Sequence, residues 1–170
     1  MTAEIFFKIR GLRRRADPET VKMLRTRASW RALRRWRERL QEPRGARQRV
    51  VCAVLPNFRA WLKRRKCVTY RLTQMLTGHG CFGEYLHRIG REATAQCHHC
   101  GHAQDSAQHT LEHCPAWQSE RRILVQRIGP DLSPEAVVAA MVRSGEAWDS
   151  VVSFCERVMV AKEDAERNDW

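Results

Sequence analysis

Apolar residues recur at three-to-four spacing along most of this chain, the period of a helix with one buried face. Asp17 followed by Pro18 is a helix start, a capping carboxylate and then proline at the first helical position. From there to about residue 41 no Gly or Pro intervenes. Val21, Leu24, Ala28, Leu33, Trp36 and Leu40 make the apolar stripe of an amphipathic helix, which Pro43 and Gly45 end. A second helix is predicted over 56–65, with Phe58, Trp61 and Leu62 on its apolar face, and a third over 69–76. Thr77-Gly78-His79-Gly80 breaks the third before a short helix over 82–88 that Gly90 closes. After Pro115 a helix runs to about 128, where Gly129-Pro130 stops it, and Ser133-Pro134-Glu135 starts the next, striped by Val137, Val138, Met141 and Val142. The last helix, about 146–165, carries Trp148, Val151, Val152, Phe154, Cys155 and Val158 and leads into an acidic tail. No segment shows the period of a strand and no repeat is visible. The pattern predicts an all-α fold.

Charge divides this helical chain. The protein has 31 Lys+Arg against 19 Asp+Glu, net +12. Residues 1–66 hold 21 basic and 5 acidic side chains, net +16, which leaves 10 and 14, net −4, for residues 67–170. A basic half of this kind suits a polyanion, because neutralising phosphates releases condensed counterions. The division predicts a basic flexible arm over 1–17, a basic helical region over 18–66, a helical and cysteine-rich module over 67–130, and a C-terminal helical pair with an acidic tail over 131–170. Arg25, Arg27, Arg31, Arg34 and Arg35 crowd the first helix, and Lys63, Arg64, Arg65 and Lys66 close the second. These nine are the candidate nucleic-acid contacts, with Trp30, Trp36 or Trp61 free either to stack on unpaired bases or to pack beneath a neighbouring helix. The run at 63–66 suits the negative end of a helix dipole and also resembles a nuclear import signal. Nothing at the N-terminus reads as a signal peptide and no stretch reaches the roughly 18 apolar residues of a membrane span.

Seven cysteines in a chain of this kind point to a reducing compartment and to metal binding rather than disulfides. Two residues separate Cys97 from Cys100, with Gly101 after the second; eight separate Cys100 from His109, and four separate His109 from Cys114. Three thiolates and a neutral imidazole make a closed tetrahedral site for one structural Zn²⁺, with no position left for water. His113 competes with Cys114 as fourth ligand; the softness of thiolate and the proline after Cys114 favour the cysteine. Asp105 is placed to cap a helix starting near Ser106. His98, His99 and His102 are expected to face solvent or nucleic acid, and Cys52, Cys67, Cys81 and Cys155 to be small core residues.

The segment Leu72-Thr73-Gln74-Met75-Leu76-Thr77-Gly78-His79-Gly80-Cys81-Phe82-Gly83-Glu84-Tyr85-Leu86, leading into the Cys-Cys-His-Cys cluster and then Pro115-x-Trp117, resembles the C-terminal zinc-knuckle region of the reverse transcriptase polyprotein of arthropod non-LTR (LINE-type) retrotransposons. The site-specific kinds, which insert into ribosomal DNA or telomeric repeats, are the most similar. The resemblance covers roughly residues 59–122. It implies a module downstream of the polymerase, with Cys97, Cys100, His109 and Cys114 on zinc, engaging element RNA or target DNA during target-primed reverse transcription. The rest of the polyprotein would be a partner, and the location nuclear with a cytoplasmic ribonucleoprotein stage. The eight residues before the histidine depart from the retroviral nucleocapsid spacing of four. Neither paired polymerase aspartates nor a ribonuclease H carboxylate cluster is present, and Asp131 and Lys162 make no credible nuclease set, so the chain is expected not to be an enzyme by itself. Met1 suits either a fragment of a longer reading frame or a freestanding copy. The rival reading is a protein-interaction module that docks on the polymerase core or a second chain without touching nucleic acid.

Overall fold

In a computed structural model the chain is described over residues 17–42, 48–64 and 66–168. The arm expected at 1–17 lies outside these residues except for Asp17, as do Pro43, Gly45 and Arg65. Eight α-helices and no strand are found among the described residues, so the fold is all-α. Two compact units divide between Ala46 and Arg47.

The first unit holds one described helix, α1 (Pro18–Leu40). It begins as the sequence predicts: the Asp17 carboxylate accepts from the Thr20 N–H at 2.9 Å and from the Thr20 hydroxyl at 2.6 Å, with Pro18 in the first turn. Between its apolar positions Arg25, Arg27, Arg31, Arg34, Arg35, Arg37 and Arg39 are exposed.

The second unit is a bundle of short helices around a long one. In order these are α2 (Arg49–Val54), a 3-10 turn (Leu55–Asn57), α3 (Phe58–Lys63), α4 (Tyr70–Thr77) and α5 (Gly83–Arg88). After an irregular segment come a π turn (His109–His113), a second 3-10 turn (Pro115–Trp117), α6 (Gln118–Ile128), α7 (Pro134–Arg143) and α8 (Gly145–Asn168). Helix α8 lies against α4, α6 and α7, and α2 lies against α4 and α7. Trp148, Val151, Phe154, Cys155, Val158 and Met159 of α8 are all buried and meet Leu72, Phe82, Leu124, Val138 and Met141 from the surrounding elements. Each such side chain contributes about 1.5–3 kcal/mol by leaving water.

The structure differs from the sequence reading around Pro56. A proline there suggests the first turn of a new helix. Instead the chain is already helical from Arg49, and Pro56 sits in the tight turn that carries α2 into α3. Val51 and Ala53 of α2 are buried, whereas the apolar cluster 50–54 has no polar period by which a helix could be recognised. The charge boundary and the packing boundary also fail to coincide. Although basic, 48–64 packs into the second unit, with Trp61 against Trp148 at 5.2 Å and the Arg64 guanidinium donating to Val142 O at 2.6 and 2.9 Å.

Candidate metal centre

The segment before the cysteines is held close to α5 by a glycine. Gly83 packs so tightly on the backbone of Ala95 and Gln96 that a Cβ there would stand 2.7 Å from either carbonyl oxygen. From this fixed base a tight turn forms by backbone bonds: the Cys97 N–H donates to His102 O at 2.8 Å and the Gly101 N–H to Cys97 O at 2.8 Å. Gly101 has φ 74°, a left-handed conformation that costs glycine little. The turn leaves Cys97 buried and Cys100 half-buried, with both thiols on one side.

His109 and Cys114 come from an element the sequence reading does not foresee. In an α-helix, residues five apart are rotated by about 140° from one another. Here the Cys114 N–H donates to His109 O at 2.7 Å, five residues back, and His109–His113 is a π turn. The wider turn brings residues five apart onto the same side, the kind of local rearrangement that π turns provide at functional sites. Its start is capped by Ser106, whose Oγ accepts from the His109 N–H at 3.0 Å. Its end is clamped by Arg121 of α6, which donates to the carbonyls of Leu111 at 2.9 Å, Thr110 at 3.3 Å and Cys114 at 2.6 Å.

Cys97, Cys100, His109 and Cys114 therefore converge, their four ligand atoms all within 4.8 Å of one another, as a group that can hold a metal ion. The Cys97 and Cys114 sulfurs are 4.0 Å apart, and Cys100 Sγ is 3.3 Å from His109 Nε2. Tetrahedral bonds of about 2.0–2.3 Å to nitrogen and sulfur require donor edges of roughly 3.5–3.8 Å, so small adjustments bring the donors to coordination distance. Burial lowers the His109 pKa, which keeps the imidazole neutral. Burial, with Asp105 adding to it, pushes the Cys97 thiol up to about 12, and burial also raises Cys114. Binding must therefore displace protons from the sulfurs. His113 stands apart from the cluster, exposed, 3.6 Å from Glu112.

Asp105 is not the helix cap. It is buried, its carboxylate accepting from Lys162 Nζ at 2.6 Å, the Gly83 N–H at 3.1 Å and the Thr110 hydroxyl at 3.2 Å. One residue thus ties α5, the π turn and α8 together behind the cluster, and Lys162 is buried with it. Asp131, the other member of the discounted nuclease pair, is exposed and accepts from the Ser133 N–H at 2.9 Å. His99 also departs from expectation: its ring lies 4.6 Å from that of Trp117, and its Nε2 is buried. His102 stacks on His109 at 4.6 Å. Cys155 is buried in the core, but Cys67 is exposed.

The candidate nucleic-acid contacts fall into separate groups. Arg25, Arg27, Arg31, Arg34 and Arg35 are exposed on α1, and Arg27, Arg31, Arg34 and Arg35 follow the i, i+4, i+7, i+8 spacing of one helix face. Trp30 and Trp36 on the same helix are 50% and 54% exposed. Lys63 is exposed as well, but Arg64 donates to Val142 and Lys66 pairs with Asp149 at 2.5 Å, so both are engaged within the fold.

No protein-family model matches the chain, and no solved structure does. A curated relative, the retrovirus-related Pol polyprotein from type-1 retrotransposable element R1 4 of Nasonia vitripennis, is 30% identical over 82 residues, or 48% of this chain. The match spans 21% of that polyprotein's length. Together with the clustered cysteines and histidine, this similarity supports a retrotransposon-related region that can bind a metal ion.

Proposed function

We propose that this chain is a zinc-dependent nucleic-acid-binding module from the C-terminal part of a non-LTR retrotransposon reverse transcriptase, contacting element RNA or target DNA during target-primed reverse transcription. The observation that carries this reading is the convergence of Cys97, Cys100, His109 and Cys114. Three soft thiolates and one imidazole suit Zn²⁺ above other divalent ions, and four protein donors leave no open position, so the ion's role is to hold the π turn on the knuckle. The polyprotein similarity supplies the context, and the exposed arginines of α1 supply the affinity for phosphate. The module acts by binding rather than catalysis, in the nucleus, with the remainder of the polyprotein as its partner.

The test is binding of fluorescent single-stranded RNA, single-stranded DNA and duplex DNA across a salt series, by the wild-type chain and by Cys97→Ser/Cys100→Ser, with bound zinc quantified. The expected result is one zinc per chain and a steep salt dependence, with metal and affinity reduced together in the variant. Zinc without nucleic-acid binding at moderate salt overturns the reading and leaves a module that docks on the polymerase core or another chain.

A further inference from the structure

Beside the metal centre, and not part of it, lies a cleft of about 240 Å³ between α4, α5 and the start of α2. Arg49 contributes its half-buried guanidinium, held by a single long hydrogen bond from Nε to Met75 O at 3.4 Å. Its terminal nitrogens have no hydrogen bond or ion pair among the described residues; Glu112 and Glu135 act on it only through space. A half-buried cation this sparsely bonded by the protein has donors to spare for an added acceptor. Across the cleft Arg88 lies over the ring of Tyr85 at 5.1 Å, and His79 is stacked on Tyr85 at 4.9 Å with the planes 28° apart. Among the described residues Glu84 is the single carboxylate lining the cleft, and it pairs with neither arginine.

A planar guanidinium with open donors fits phosphate bidentately, a second cation sits within reach, and the aromatic pair offers a face for a base. The volume falls below the roughly 300 Å³ at which small-molecule pockets begin. It suits one nucleotide unit and not a duplex. From this we infer that the cleft is a subsite for one unpaired nucleotide of a single-stranded nucleic acid, its phosphate on Arg49 and Arg88 and its base against Tyr85 and His79. The inference rests on the nucleic-acid-binding reading and adds to it a site that discriminates single strands from duplex. It also gives a role to His79 and Tyr85, which the metal centre does not use, in a segment whose Gly83 and Glu84 N–H groups both bond Asp105. Glu84 opposes phosphate and sets a limit on affinity.

The experiment measures affinity of the zinc-loaded full chain for a fluorescein-labelled oligouridylate and for a duplex DNA of equal phosphate number. It compares wild type with Tyr85→Leu, Arg49→Gln, Arg88→Gln and Glu84→Gln. Tyr85→Leu is expected to lose about tenfold on the single strand and to leave duplex binding unchanged, since only an unpaired base can stack. Arg88→Gln, at an exposed position, is expected to weaken single-strand binding several-fold with zinc content and thermal unfolding unaltered, and Glu84→Gln to strengthen it. Equal losses on both probes, or no loss from Tyr85→Leu and Arg88→Gln in a wild-type background that binds, overturn the cleft alone. A wild-type chain that binds neither probe overturns both the cleft and the broader reading.

Discussion

At Gly83 the backbone of α5 touches the carbonyls that lead into Cys97. The obstructing atoms are backbone, so Gly83→Ala must push the two segments apart. Overpacking of this kind costs about 1–3 kcal/mol, and thermal unfolding of the zinc-loaded chain is expected to fall by roughly 2–12 °C. The Asp105–Lys162 pair makes a larger demand, because both partners are buried. Lys162→Met leaves an unpaired carboxylate inside and is expected to cost about 3–5 kcal/mol in denaturant titration. Adding Asp105→Asn removes that charge while keeping an acceptor for Thr110, and is expected to recover most of the loss. A cost for Lys162→Met below about 1 kcal/mol would contradict a paired, buried lysine. The pair was partly legible in the sequence: Val151, Cys155, Val158 and Lys162 continue one helical stripe, so the period places the lysine inside. The missing element was the partner. Asp105 has the local spacing of a cap and the tertiary role of a counter-ion 57 residues away.

The elements followed the same division between local and distant causes. Caps at Asp17, Thr69 and Ser133, and stops at Gly78 and Gly129, are local chemistry, and the helices they bound lie where the pattern predicts. The π turn has no such signature, since a five-residue hydrogen bond depends on what holds its carbonyls. Arg121 does so from the next helix, and it was invisible as a site residue because its role is defined by three backbone oxygens rather than by a motif. Arg121→Met is expected to reduce zinc affinity by about 10–100-fold in competition with a chromophoric chelator, the range typical of outer-shell partners. The far-UV helical signal should persist. Between α4 and α8, Arg71 bridges Glu156 and Glu163 at 2.8 Å each, and its hydrogen bond holds the Glu156 carboxyl below its usual 4.5. A depressed carboxyl pKa stabilises the fold above about pH 4.5, and that contribution disappears as pH falls through the folded value. Arg71→Gln is therefore expected to lower stability at pH 7 and to flatten the acid limb below pH 4.5. A parallel shift at all pH values would remove this pair from the acid response.

For the whole molecule, composition identified an imbalance and the structure divided it. Of the +16 on residues 1–66, the charges of Arg64 and Lys66 are taken up by Val142 and Asp149, whereas Arg25, Arg27, Arg31, Arg34 and Arg35 remain on the exposed surface of α1. Charge counting could not make that distinction, because it does not know which cations meet partners far along the chain. The difference can be read thermodynamically. For single strands each neutralised phosphate contributes about 0.7 to the slope of log affinity against log salt. Replacing all five α1 arginines with glutamine is expected to make that slope shallower by up to about 3.5, whereas Lys66→Gln, which gives up an exposed ion pair with Asp149, should leave the slope unchanged and lower stability by no more than about 1 kcal/mol. Nucleic-acid titrations from 50 to 400 mM salt, with circular dichroism as the control for folding, separate the two. An unchanged slope in the five-fold variant would mean that α1 faces something other than phosphate, and its helical arginine face would then be a surface for an acidic protein partner.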